Sequence, residues 1–184
     1  MHWPPSADLG SPGSPAPGPQ EALRFVQSLP GFLQLPAQEQ QYALSTGTLQ
    51  VMMARLLSRF RPEVGAFLFP CGLFVYPSQL LSSLPEMAVT SLTYLALNFA
   101  SRGLTNQELA LLSALLICNP LANSDLYRNT MSSISEKSSA VHLSSLAMQI
   151  SELCWTASPD QWTNIVLNPP LPHDMAQFCS LPSI

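Results

Sequence analysis

Residues 105–118 read TNQELALLSALLIC. Thr105 and Glu108 have the T-x-x-E spacing of a capping box, in which each side chain satisfies a backbone N–H left open at a helix start. From Leu109 to Ile117 the stretch is apolar nearly all round, so the spacing predicts a helix that lies inside the core. Working outward, residues 84–101 keep helical spacing through Ala88, Leu92, Leu95 and Phe99, with Pro85 at the start and Gly103 just past the end. Residues 65–76 (GAFLFPCGLFVY) are aromatic and interrupted by Pro70 and Gly72, which suits one small β-hairpin better than a helix.

Further upstream, Pro36 opens a helix with apolar positions at Leu44, Leu49, Met52, Met53, Leu56 and Phe60. Gly47 is its weak point and is expected to divide it in two. A short helix over residues 21–29 is broken by Pro30-Gly31. Residues 1–19 hold six prolines with Gly and Ser and read as a disordered Pro-rich leader. Downstream, the Ser-rich stretch 125–155 is helical, in two pieces around residues 137–140. Another helix follows Ser158-Pro159 to Leu167. Asn168-Pro169-Pro170 is a stop, and residues 174–181 open one more helix. The expected fold is all-α: a layered antiparallel helical sandwich with one small β-hairpin.

Composition narrows the function. Charged residues are 10% of the 184 and apolar ones 47%, against about 25% charged in a typical soluble chain. Much of the surface should therefore be buried or bind something. Seven Lys and Arg against eleven Asp and Glu give a net charge of −4, too few cations for direct nucleic-acid binding. Cys71, Cys118, Cys154 and Cys179 are far apart, with no CxxC pair, and read as free thiols in a reducing compartment. No signal-peptide pattern is present. The longest apolar run, residues 109–118, is too short to span a membrane. His2, His142 and His173 are scattered, with no metal-ligand spacing, and no G-x-S-x-G context selects a nucleophile. The expectation is a soluble, intracellular chain with no catalytic, metal or cofactor site.

The stretch 25–44 carries the most specific pattern. Phe25-Val26-Gln27, Pro30-Gly31-Phe32, Leu35, Glu39-Gln40 and Ala43-Leu44 together resemble the signature of the nuclear-receptor ligand-binding domain, where it joins the third helix to the fourth. Phe25, Phe32 and Leu35 can anchor the turn that Pro30-Gly31 permits. Glu39 stands where the family usually has Asp, and Ala43 where it usually has Leu. Arg59, Arg61-Pro62, Gly65, Phe69 and Gly72-Leu73 are similar to Nur-type orphan receptors. Gly47, Val51 and Arg55 are similar to the retinoid-related orphan receptors, and both subgroups stay open.

The resemblance implies that residues 20–184 form a partial ligand-binding domain, from the end of the family's third helix to about its tenth. Nothing resembles the first two helices or the zinc-finger domain, and no acidic, apolar activation motif follows Pro169-Pro170. It also implies a nuclear, orphan-type regulatory domain, not an enzyme, that controls transcription by contact with coregulators and with another receptor as a homo- or heterodimer. Two alternatives remain: a sensor that holds a lipid-like ligand in an open pocket, and a truncated dominant-negative form.

The residues implied are these. Leu23, Gln27, Phe32, Gln40, Gln41, Leu44 and Ser45 would form the coregulator surface. Gln27 and Ser45 stand where many receptors place the two lysines that clamp an LxxLL helix, so the grip on that helix's dipole is missing. Met52, Met53, Arg59, Phe67, Phe69 and Phe74 would line the pocket. Arg59 matches a pocket arginine that meets acidic ligands, or else is a solvated helix-end charge. Residues 112–116 also spell LxxLL, but in so apolar a neighbourhood they read as core. Haem through His173 and Cys179 lacks a matching motif.

Overall fold

A computed structural model describes residues 24–29, 31–69, 72–121, 125–135 and 140–170. Seven helices are numbered here: α1 (Ala37–Ser58), the single turn α2 (Pro77–Leu80), α3 (Glu86–Arg102), α4 (Asn106–Cys118), α5 (Asp125–Ser135), α6 (Ala140–Cys154) and α7 (Pro159–Leu167). Residues 24–27 are also helical, and short 3-10 turns cover Phe32–Gln34 and Asn119–Leu121. The leader, Cys71, residues 136–139 and the helix expected over 174–181 lie outside the described residues.

Local chemistry sets most helix ends. At α4, the Glu108 carboxylate accepts from the Thr105 backbone N–H (2.9 Å), while the Glu108 N–H donates to Thr105 Oγ1 (3.2 Å). Such a cap stabilises a helix by about 1 kcal/mol. A second capping box opens α7. Gln161 N–H donates to Ser158 Oγ (3.2 Å) and the Ser158 N–H to Gln161 Oε1 (3.0 Å), with Pro159 at the first helical position. Prolines 36 and 85 precede α1 and α3. Gly103 ends α3 in the left-handed region at φ 57°, where a side chain would be strained.

The helix from residue 105 is covered on every side, as its apolar run requires: Ala110 through Cys118 are all buried. It packs on α1, α5 and α6, and α1 in turn meets α3, α6 and α7. Burying each leucine of this kind contributes about 1.5–3 kcal/mol. Leu112, Leu115 and Leu116 face the interior, so the LxxLL spelling is core packing. Ser113, buried among them, donates its hydroxyl to the Leu109 carbonyl at 2.8 Å, the pairing a buried hydroxyl requires.

One expectation needs correction, and the expected small hairpin is present with an addition. Gly47 does not divide its helix. α1 runs unbroken for 22 residues and Gly47 is buried within it, because the glycine lies where α1 crosses α4. A Cβ there would sit 2.9 Å from Ile117 Cα and 3.2 Å from the Leu116 carbonyl oxygen. The hairpin also has a third strand. β1 (Phe60–Arg61), β2 (Ala66–Leu68) and β3 (Phe74–Val75) form an antiparallel sheet in that order. β1 joins because the chain turns back at Arg61, whose carbonyl accepts from the Val64 and Gly65 N–H groups (3.2 and 2.8 Å), with Gly65 at φ 64°.

Cys118 and Cys154 are free thiols, and burial raises both. Cys118 rises to about 11, held back by the Thr130 hydroxyl 3.6 Å away, and Cys154 to about 12. An unfolded thiol ionises near 9.0, so the unfolded chain loses these protons first. Their contribution to stability is full below that pH and is lost as pH rises through 11 to 12. Iodoacetamide at pH 8.5, read peptide by peptide in a mass spectrometer, should therefore label the buried Cys118 far more slowly in the folded chain than in urea, and the half-buried Cys154 more slowly by a smaller margin. Equal rates in the two states would contradict the burial.

Candidate functional site

The expected coregulator residues fall into three groups. Gln27, Gln41 and Ser45 are exposed, and Leu44 is half-buried against the core. Gln41 and Ser45 are one turn apart on α1 and so share a face. Phe32, by contrast, is 1% exposed and anchors the turn from inside, together with Phe25, Val26 and Leu29. Gln40 is committed to structure, since its Nε2 donates to the Leu35 carbonyl at 2.8 Å and closes the 3-10 turn onto α1. Leu23 lies outside the described residues. Sequence reasoning passed over Tyr42, 53% exposed next to Gln41, and Leu33, which is also exposed. An aromatic residue beside polar positions on a helix start was the available signal for Tyr42.

The pocket residues are divided by strand alternation. Phe67 pairs with Val75 and Leu68 with Phe74. Phe67 and Val75 point inward and are fully buried, whereas Phe74 is 45% exposed on the outer face. Phe69 and Met53 are buried as well, and the Phe60 and Phe67 rings meet at a centroid distance of 4.9 Å, tilted by 57°. That spacing lies in the favourable range for an aromatic pair. Met52 and Arg59 are half-buried. Desolvation lowers the Arg59 pKa, and the neighbouring Arg61 charge lowers it further. Met53, Phe67 and Phe69 thus belong to the buried core, and Phe74 stands apart from it on the exposed face.

Among the described residues, no three His, Cys, Asp or Glu side chains are grouped to hold a metal ion. No described helix is long and apolar enough to cross a membrane.

No family model matches the chain. It is similar to nuclear hormone receptor E75 of Metapenaeus ensis, with 30% identity over 105 residues. The match takes in 56% of this chain and spans 17% of that protein's length. The similarity supports a relationship to the nuclear hormone receptors.

Proposed function

We propose that this chain is a regulatory domain of nuclear-receptor type, acting in transcriptional control through protein contacts in the manner of the orphan receptors. Its partners are coregulators and a second receptor domain, and its place of action is the nucleus. The observation that carries this reading is the surface at the start of α1. There the half-buried Leu44 sits beside exposed, uncharged Gln41 and Ser45, and Gln27, fourteen residues before Gln41, is exposed as well. Supporting it are the similarity to a nuclear hormone receptor and the burial of Met53, Phe67 and Phe69 in the core.

A helical LxxLL peptide presents its N-terminal dipole and C-terminal carbonyls to whatever charges flank the groove. Gln27 and Ser45 offer dipoles where a clamp of two lysines would offer full charges. Fluorescence anisotropy with a labelled coactivator-type LxxLL peptide is expected to show weak or no binding. Micromolar binding that Leu44→Asp abolishes would overturn the proposal in this form.

A further inference from the structure

We draw no further inference here: the strongest candidate, the surface patch of exposed apolar side chains on the adjoining helices α3 (Met87, Tyr94, Leu97) and α6 (Val141, Met148), is an unpartnered face, and nothing in the structure shows what covers it.

Discussion

Replacing Leu116 with alanine is expected to lower the unfolding free energy by about 2–5 kcal/mol. Leu116 is fully buried on a helix whose neighbours from Ala110 to Cys118 are buried too. The loss therefore combines the transfer of the removed carbons with a cavity that the surrounding helices cannot close. The prediction also decides what the LxxLL spelling means. A motif held for docking would show its leucines to solvent, and truncating it would leave stability within about 0.5 kcal/mol. Urea unfolding followed by circular dichroism measures the change, with the exposed Leu97→Ala as the surface reference. A loss below about 1 kcal/mol for Leu116→Ala would mean that α4 is accessible after all.

Gly47→Ala should also destabilise, against the usual rule for glycine in a helix. Alanine gains about 0.5–1 kcal/mol over glycine in a helix interior. Here the added methyl would meet Ile117 Cδ1 at 2.7 Å, Ile117 Cα at 2.9 Å and the Leu116 carbonyl oxygen at 3.2 Å. The first of these atoms can move, but the other two are backbone of a buried helix and move only if α1 and α4 separate. Overpacking of this kind costs about 1–3 kcal/mol, so a net loss of up to about 2.5 kcal/mol, centred near 1 kcal/mol, is left after the helix gain is subtracted. For a domain of this size the melting temperature should fall by about 2–4 °C per kcal/mol. An exposed substitution on the same helix, Gln41→Ala, should leave it nearly unchanged. An unchanged or raised melting temperature for Gly47→Ala would show that the crossing is looser than the distances indicate.

What could be read from the sequence follows from how far apart the deciding residues lie. Thr105 and Glu108 set a helix start between themselves, and Pro36, Pro85 and Gly103 act on the peptide units beside them. Those ends were legible, and Ser158 with Gln161 carried the same signal without being used. Gly47 was misread because its reason is Ile117, which approaches it only after two helices cross. The aromatic stretch was legible as a hairpin, but its register was not. A shift of one residue would exchange Phe74 and Val75 between the two faces, and residue type favours neither arrangement. β1 was missed because Phe60-Arg61 continues the helical spacing of α1, and only the turn at Gly65 brings it back along β2. At the candidate surface, Gln40 and Gln41 are the same residue in sequence, yet one closes a turn and the other faces solvent.

The unbroken length of α1 has a mechanical consequence. Gln41, Leu44 and Ser45 lie before Gly47 in the helix, and Ser58 is its last residue. At 1.5 Å per residue, about 15 Å of rod extends to either side of Gly47, where the backbone of α4 is too close for any slide toward it. Leu44 and Ser45 lie only three and two residues from that pin, about 3–5 Å along the axis, so packing against α4 holds the surface they form in place.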